Sequence, residues 1–298
     1  MKIQKLYPEC KDYIWGGNRL REKYGKISDK SPLAESWELS FHNDGLTKIS
    51  DGRTLMEAVT EKELGERVKK IGRFPVLIKF IDAKDDLSVQ VHPSDEYAIA
   101  NENSLGKTEM WYIVEADEGA GIYLGFKRDV TREEFEGAIL ENRLTELLNF
   151  YEVKPGECYF IPAGTIHAIG KGCLICEIQQ NSNLTYRVYD YGRRDKFGRE
   201  RELHIDKAKK VTHLERFIPK SFDDGILGSC EYFTATRARV CDKTLICAGE
   251  DSFNAVTCVQ GAGEIDGEPV RCGDTFFVPA GYGEYSLFGN MELIITKV

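Results

Sequence analysis

The sequence lacks any apolar run long enough to cross a lipid bilayer, although 42% of its residues are hydrophobic. Its first ten residues, MKIQKLYPEC, also lack the apolar stretch of a secretion signal. We therefore expect a cytoplasmic protein without a membrane partner. With 298 residues, the chain can build one large or two moderate domains around a substantial hydrophobic core.

Basic residues are fewer than acidic ones, 40 against 49, which gives a formal net charge of -9 at pH 7. This balance argues against nucleic acid as a partner, and a small anionic substrate would need a local cluster of Lys and Arg. Cysteine is odd in number, at nine, and we expect reduced thiols. Cys173 and Cys176 form the only C-x-x-C pair. Packing explains this pair better than zinc or redox chemistry, because no second pair or histidine lies in register.

Short β-branched or aromatic segments separated by Gly, Pro, Asp or Asn dominate the chain, and they predict strands. This pattern is typical of a β sandwich or jelly roll. Two stretches, residues 54–72 and 131–150, have helical spacing instead. The second begins with Thr131 and Glu134 at the spacing of a capping box, and it is predicted to be an insertion between strands.

An internal repeat aligns PGECYFIPAGTIHAIG, at 155–170, with CGDTFFVPAGYGEYSLFG, at 272–289. Their Gly, Pro and Ala-Gly positions coincide at one offset, which predicts two copies of one β unit. The second copy has Glu284 where the first has His167, so we expect it to have kept the fold and lost any metal site. The basic stretch at 192–224 is the predicted connector, although part of it can still pack on the first unit.

Histidine is scarce, with five in the chain, and two of them stand out. His92 follows Gln90 at strand spacing, so both side chains share a face, and Lys107 and Glu109 have the same spacing. If these strands and the one with His167 are neighbours, four nitrogen and oxygen donors meet at one spot. That set suits a divalent cation such as zinc with an open position. Alternatively, the two histidines are hydrogen-bonded core residues and Glu109 is solvated. The other three, read mostly as surface residues, are His42, His204 and His213.

Four segments, in this order, resemble the type I mannose-6-phosphate isomerases in their short bacterial form. They are QVHP, KTEMW, IPAGTIHAIGKG and EIQQNSNLTYRVYDYGR. The resemblance also includes YIWGGNRL and AESWELS near the N-terminus and RELHIDKA further on, so it covers most of the chain. The sequence departs from the longer members of the family after Arg187, and no residue role beyond that position is transferred.

The resemblance implies a mainly all-β protein of two cupin or jelly-roll barrels with a small helical insertion. A catalytic cupin domain would span residues 1–220, with the insertion near 131–150. A second, degenerate cupin domain would span residues 221–298. The resemblance also implies one zinc ion per chain, whose ligands would be Gln90, His92, Glu109 and His167.

The family's reaction interconverts mannose 6-phosphate and fructose 6-phosphate by moving a proton between C1 and C2 through an enediol. The resemblance assigns Arg187, Lys107 and Glu177 to catalysis and Lys79, Arg187 and Lys107 to substrate binding. Glu177 or Lys107 would carry the proton, and Arg187 would be the main phosphate ligand, because its planar fork suits phosphate. For these residues the alternatives are a Glu177–Arg187 ion pair and solvated lysines.

Two other functions stay open at this point. A cupin dioxygenase would use a similar set of ligands around iron, and a non-catalytic carbohydrate-binding cupin would bind sugar without turnover. The sequence favours the isomerase because metal donors, acid–base groups and phosphate-binding cations all lie in the first repeat. It does not decide between a monomer and a homodimer.

Overall fold

Strands are the main regular structure of the described chain, which in this computed structural model comprises residues 1–194, 197–223 and 225–298. The mainly all-β class is therefore confirmed. The first fourteen strands are β1 (Gln4–Lys5), β2 (Glu9–Lys11), β3 (Glu35–Leu39), β4 (Phe41–His42), β5 (Gly45–Leu46), β6 (Val76–Asp82), β7 (Val89–Val91), β8 (Glu109–Ala116), β9 (Gly121–Phe126), β10 (Leu148–Glu152), β11 (Cys158–Ile161), β12 (His167–Ile169), β13 (Cys173–Gln180) and β14 (Tyr186–Tyr189). The remaining ones are β15 (Ile226–Ser229), β16 (Thr234–Val240), β17 (Lys243–Ala248), β18 (Asn254–Ile265), β19 (Glu268–Arg271), β20 (Thr275–Val278) and β21 (Gly283–Lys297).

The helices are short and lie between strands. They are α1 (Arg19–Glu22), α2 (Leu55–Ala58), α3 (Glu61–Leu64), α4 (Glu66–Ile71), α5 (Asp95–Glu102), α6 (Arg132–Leu140) and α7 (Ile205–Val211), with a 3-10 turn at Leu144–Leu147. Within the described ranges, none of them is long and apolar enough to span a membrane.

The continuous helix expected over residues 54–72 is wrong, because this segment forms the three separate helices α2, α3 and α4. The N–H groups of Thr54 and Thr60 each donate to a glutamate three residues on, at 2.9 Å, and each of these capping arrangements begins a new helix. Gly65, with φ 93°, separates α3 from α4 in a conformation that suits glycine.

The helix expected over residues 131–150 begins where predicted, but it ends at Leu140, ten residues before the predicted end. The side chain of Thr131 accepts a hydrogen bond from the N–H of Glu134 at 3.1 Å and caps α6. Asn142 then adopts φ 55°, which takes the chain out of the helix. From Leu148 the chain pairs with β9 as strand β10. The insertion between β9 and β10 is therefore confirmed, but its second half is a 3-10 turn and a strand.

The first repeat unit contains two antiparallel sheets that face each other. One has the strand order β11-β8-β13-β6-β3-β2, and the other has the order β10-β9-β12-β7-β14. Buried side chains from both sheets pack together between them, such as Ile113 and Ile175 from the first with Ile122 and Ile169 from the second. Apolar side chains therefore fill one part of the barrel interior. Polar side chains that point inward from the same two sheets must lie together in the other part.

The outer faces of both sheets are also covered. Ile178 of β13 lies in one cluster with Phe277 of β20, so the six-stranded sheet packs against the second repeat unit. Phe135 of α6 and Ala208 of α7 join Val89 of β7 in another cluster, which covers the five-stranded sheet. Each strand of the first unit thus has one face toward the barrel interior and one toward a packed neighbour, which fixes its register.

The second unit forms one sheet with the strand order β1-β20-β18-β21-β16-β15, in which β17 also pairs with β21 and β19 with β18. The predicted repeat is visible in its turns: Gly156 and Gly273 have φ 90° and 93°, and Gly164 and Gly281 have φ 85° and 71°. Glu284 is exposed where His167 is buried. Since β1 comes from the N-terminus, the two units share chain segments, and the boundary between residues 220 and 221 stays a prediction.

Candidate metal centre and active-site cavity

Strand register brings the predicted metal ligands to one place in the first barrel. On the five-stranded sheet, β7 lies between β12 and β14, and Gln90 pairs with His167 on one side and Arg187 on the other. His92 lies two residues after Gln90. Glu109 projects from β8 of the opposing sheet, where it pairs with Gln179.

The two imidazoles present unprotonated nitrogens to the same point. Nδ1 of His92 lies 2.9 Å from the carbonyl oxygen of Leu184, and Nδ1 of His167 lies 2.9 Å from that of Thr165. Because a carbonyl oxygen can only accept, each Nδ1 carries the proton and each Nε2 keeps a lone pair. The two Nε2 atoms lie 3.5 and 3.4 Å from the carboxylate oxygens of Glu109.

This donor set suits a cation. One ligand atom from each of His92, Glu109 and His167 lies within 4.8 Å of the others, and all three side chains are buried. Within the described part of the chain, Oε1 of Glu109 has no hydrogen-bond partner. Burial, and after it the Glu177 carboxylate, raises the pKa of Glu109 to about 7. A buried, unpartnered carboxylate oxygen facing two imidazole lone pairs is costly unless a positive charge lies among them.

Gln90 is the fourth predicted ligand, and its side chain lies at the same point. Its Nε2 is 3.3 Å from Nε2 of His167. Rotation of the amide by half a turn would present its oxygen instead, which is the atom that binds cations. The structure therefore places all four predicted ligands together, and their role as ligands stays a proposal.

Next to this point, acidic and basic side chains alternate across the six-stranded sheet. Nζ of Lys107 lies 3.2 Å from Nε2 of His92 and 3.3 Å from Oε1 of Glu177, and it also donates to Glu109. Nζ of Lys79 lies 3.1 Å from Glu177 and 3.5 Å from Glu35. Each lysine therefore lies between two carboxylates, and neither is solvated as the alternative interpretation proposed.

Glu177 is the centre of this row of charges. Its Oε2 accepts a hydrogen bond of 2.7 Å from the indole N–H of Trp111. Burial alone would raise the pKa of Glu177, but Lys107 and Lys79 outweigh it and lower the pKa to about 2. The buried Glu177–Arg187 ion pair considered from the sequence is wrong, because Glu177 pairs with the two lysines instead.

A cavity of about 300 Å³ opens beside the cluster. Its volume is at the lower end of the range for small-molecule sites. Arg187 lies in its wall, donates through Nη1 to the carbonyl of Glu202 at 2.8 Å, and leaves its buried Nε without a partner among the described residues. The wall also includes Tyr13, Trp15, Glu35, Lys79, Gln90, Lys107, Glu177, Asn183, Thr185 and Arg201.

Sequence reasoning missed several residues of this site. Glu35 and Trp111 could have been found, since Glu35 shares a strand face with Trp37 just as Glu109 shares one with Trp111. Arg201 had no such signal, because it follows β14 in an irregular segment. His204 is half-buried and not a surface residue, because its Nδ1 accepts from the N–H of Arg187 at 3.3 Å.

The remaining predictions for cysteine and histidine can be placed as well. Cys173 packs in the core between the two sheets, whereas Cys176 packs in the core against the second unit. The two thiols thus lie on opposite faces of β13, which agrees with packing. His213 is exposed as expected, and His42 is half-buried beside Trp37.

Comparisons with known proteins identify the family. Residues 3–119 match the family model "Phosphomannose isomerase type I, catalytic domain", and residues 226–298 match "Mannose-6-phosphate isomerase, cupin domain". Mannose-6-phosphate isomerase ManA of Bacillus subtilis (strain 168) is 37% identical over 98% of this chain and 97% of its own. Mannose-6-phosphate isomerase of Streptococcus mutans is 34% identical over 95% of this chain and 94% of its own.

A solved structure agrees with these matches. The crystal structure of mannose 6-phosphate isomerase from Bacillus subtilis superposes with a TM-score of 0.89 at 34% identity and covers 100% of both chains. The two-cupin fold expected from the sequence is thereby confirmed. With similarity of this extent along its whole length, the chain belongs to the type I phosphomannose isomerase family.

Proposed function

We propose that this protein interconverts mannose 6-phosphate and fructose 6-phosphate by moving a proton between C1 and C2 through an enediol. The single observation that supports it best is that one cavity has a buried acid–base pair and an arginine in its wall and opens directly beside an imidazole–carboxylate cluster. Its relatives carry the name of this activity over nearly the full length of the chain. A cytoplasmic location and the absence of a nucleic-acid partner stay predictions.

The reaction requires stabilisation of negative charge, because a C–H group next to a carbonyl is far too weak an acid to lose its proton at neutral pH without it. We propose that His92, Glu109, His167 and Gln90 hold one zinc ion. When bound, the ion supplies Lewis-acid stabilisation of the negative charge on the sugar oxygens, an effect of several kcal/mol. Two neutral imidazoles and a carboxylate are the ligand types that zinc prefers.

The proton must be carried by a group in the cavity, and Lys107 and Glu177 are the two candidates. Both oxygens of Glu177 are already occupied, one by Trp111 and the other by the two lysines. This arrangement suits Glu177 to hold Lys79 and Lys107 in place. We assign the proton transfer to Lys107, which lies between His92 and Glu177. As the neutral amine it would accept the proton from one carbon of the substrate and return it to the other.

Arg187 is suited to the other end of the substrate. It lies in the cavity wall next to Gln90 in register, and its guanidinium keeps N–H groups that no described residue accepts. A phosphate dianion offers the acceptors that fit this planar fork. Substrate bound in this way would span from Arg187 to the metal ligands.

A coupled assay of the purified protein on mannose 6-phosphate tests the proposal. We expect turnover that is lost on chelation and restored by zinc, because the Lys107 ammonium beside the cluster cannot supply Lewis-acid stabilisation in place of the metal. His167→Gln should lose turnover and bind zinc at least about tenfold more weakly, since it removes one imidazole ligand. His213→Gln, at an exposed site, is the matched control.

Absence of turnover in a fully metallated sample would contradict the proposal. So would turnover that survives complete removal of the metal. Oxygen consumption during the assay would indicate a dioxygenase instead.

A further inference from the structure

The positive charge in the cavity is unevenly distributed. At the metal end, Lys79 and Lys107 lie among three carboxylates, those of Glu35, Glu109 and Glu177. Neither lysine has charge to spare for an anionic ligand. An anion entering the cavity must therefore be bound mainly at the other end.

At that end, three guanidinium groups gather around one buried carboxylate. Asp190 accepts hydrogen bonds from Arg193 at 2.5 Å and from Arg201 at 2.7 and 2.5 Å. Its side chain is 6% exposed. Arg187 lies close enough that Arg201 and Arg193, after burial itself, contribute to lowering its pKa. The three guanidinium groups outnumber the nearby carboxylates of Asp190 and the exposed Glu202, and this local excess of positive charge favours an anion such as a phosphate monoester.

Only two of these three arginines reach the cavity. Arg187 and Arg201 both line it, whereas Arg193 is turned to the backbone carbonyl of Asp86. Asp190 therefore holds Arg201 on one side through Nε and Nη2, and among the described residues no other side chain pairs with this guanidinium, whose remaining N–H groups are left for a ligand.

The placement of Arg201 depends on how the chain returns after β14. The N–H of His204 donates to the carbonyl of Arg187 at 2.7 Å, and the N–H of Arg187 donates back to Nδ1 of His204 at 3.3 Å. α7 begins directly afterwards and packs on β14 through the cluster that includes Ala208. Arg201, three residues before His204, is thereby held near Arg187.

We propose that Arg201, positioned by Asp190, is a second phosphate-binding residue beside Arg187, and that it sets the preference for phosphorylated over free sugars. This inference rests on the proposed function for its substrate, a sugar phosphate. The two guanidinium groups would bind different oxygens of the phosphate, while Asp190 keeps Arg201 from folding away when the cavity is empty. Arg201 is a binding residue and takes no part in the proton transfer.

Binding of inorganic phosphate to the purified full-length protein, by titration calorimetry, tests the inference directly. The measurement is made with and without zinc, so that phosphate bound to the metal is recognised. We expect Arg201→Gln to bind phosphate at least about tenfold more weakly than the wild type in both forms, because a charge-assisted pair is lost. Arg201→Lys should recover part of the loss, since it keeps the charge without the fork.

The matched control is Arg194→Gln, in the same segment. Arg194 is exposed and pairs with Glu200, and it does not line the cavity. This variant should bind phosphate within about twofold of the wild type, because an exposed ion pair away from the ligand contributes little. An equal loss in Arg194→Gln and Arg201→Gln would show a general charge effect and overturn the inference.

Steady-state kinetics separate this inference from the proposed function. In Arg201→Gln, KM for mannose 6-phosphate should rise about tenfold or more, with kcat within about threefold of the wild type. Wild-type turnover with an unchanged KM and unchanged phosphate affinity in Arg201→Gln would overturn the inference alone. Phosphate binding that depends on Arg201, in a protein that isomerises no phosphosugar, would overturn the proposed function alone. A wild type that binds no phosphate at millimolar concentration would also overturn the inference.

Discussion

At the scale of single residues, the site depends on buried charges that are held by specific partners. Glu177 is ionised because Lys107, Lys79 and the Trp111 N–H together offset the burial that would otherwise neutralise it. Removing the indole N–H leaves the buried Oε2 unsatisfied, at a cost of about 1–3 kcal/mol, whereas removal of either lysine leaves Oε1 paired with the other. The indole N–H is the one donor that can be removed without changing the charge.

Trp111→Phe is therefore an informative substitution. It keeps an aromatic ring beside His167 but removes the hydrogen bond to Glu177, so Glu177 can move and Lys107 with it. We expect kcat to fall by about tenfold, the equivalent of roughly 1.4 kcal/mol, with a smaller change in KM. Kinetics and thermal unfolding of the zinc-loaded protein measure both effects.

Tyr112→Phe is the matched control on the adjacent residue of β8. Its hydroxyl donates to Glu292 on the outer face, away from the cavity. This variant should lose some stability and keep its kcat. A kcat in Trp111→Phe equal to that of the wild type would mean that the N–H of Trp111 does not position the site.

At the scale of elements, the repeat provides two copies of one turn with different tasks. Gly164 follows Pro162 and Ala163, and its N–H donates to the carbonyl of His92 at 2.8 Å. The equivalent Gly281 belongs to a unit in which Glu284 replaces the histidine. Both glycines have positive φ, 85° and 71°, which any other L-residue adopts only with strain.

We expect Gly164→Ala and Gly281→Ala to differ in function. Each should lower the free energy of unfolding by about 1–2 kcal/mol through backbone strain. At Gly164 the added Cβ would also lie 2.6 Å from the exposed ring of His213, and strain in this turn acts directly on His92, whose carbonyl accepts the N–H of Gly164. Gly164→Ala should therefore lose zinc affinity and activity, whereas Gly281→Ala should keep both, as measured by denaturant unfolding, zinc titration and kinetics. Equal activity in the two variants would contradict a special role for the first turn.

At the scale of the whole molecule, the second unit is bound to the first by packing and by a buried charge. Lys26 donates to the carboxylate of Glu38 at 2.7 Å and to the carbonyl of Gly273, in the second unit, at 2.5 Å. Glu38 has no exposed area, and burial raises its pKa, although Lys26 and Ser36 oppose the shift. Glu38 lies on β3, the strand that also presents Glu35 to the cavity.

Lys26→Met should destabilise the protein by about 3–5 kcal/mol near neutral pH, because it leaves Glu38 as an uncompensated buried charge. Without Lys26, the pKa of Glu38 in the folded state lies still further above its value in the unfolded chain. A raised folded-state pKa means that the folded form binds the extra proton, so the loss should be smaller at pH 5 than at pH 8. Urea unfolding of both proteins at the two pH values measures this difference.

The double variant Lys26→Met with Glu38→Gln provides the control. It has no buried charge at this position, so its stability relative to the wild type should vary little between the two pH values. A loss in Lys26→Met that is the same at pH 5 and pH 8 would show that Glu38 is not the cause.

Much of the site could be predicted from side-chain alternation, and the failures have physical reasons. Gln90 with His92, and Lys107 with Glu109, share strand faces by a rule that depends on the backbone alone. The same rule would have found Glu35 and Trp111. The prediction of one helix over residues 54–72 was wrong because helix caps and Gly65 interrupt the segment, although its apolar residues are spaced as in a single helix.

The sequence by itself determined the mainly β class, the repeat and the strand faces on which the metal-binding candidates lie. The class and the faces follow from the alternation of side chains along a strand, and the repeat follows from two segments that align at a constant spacing. Only the tertiary structure decided what those faces meet. Glu177 pairs with lysines and not with Arg187, and Arg201 lies beside Arg187. Such contacts join residues of neighbouring strands and irregular segments that are far apart in the sequence, so these ion pairs leave no local pattern in the chain.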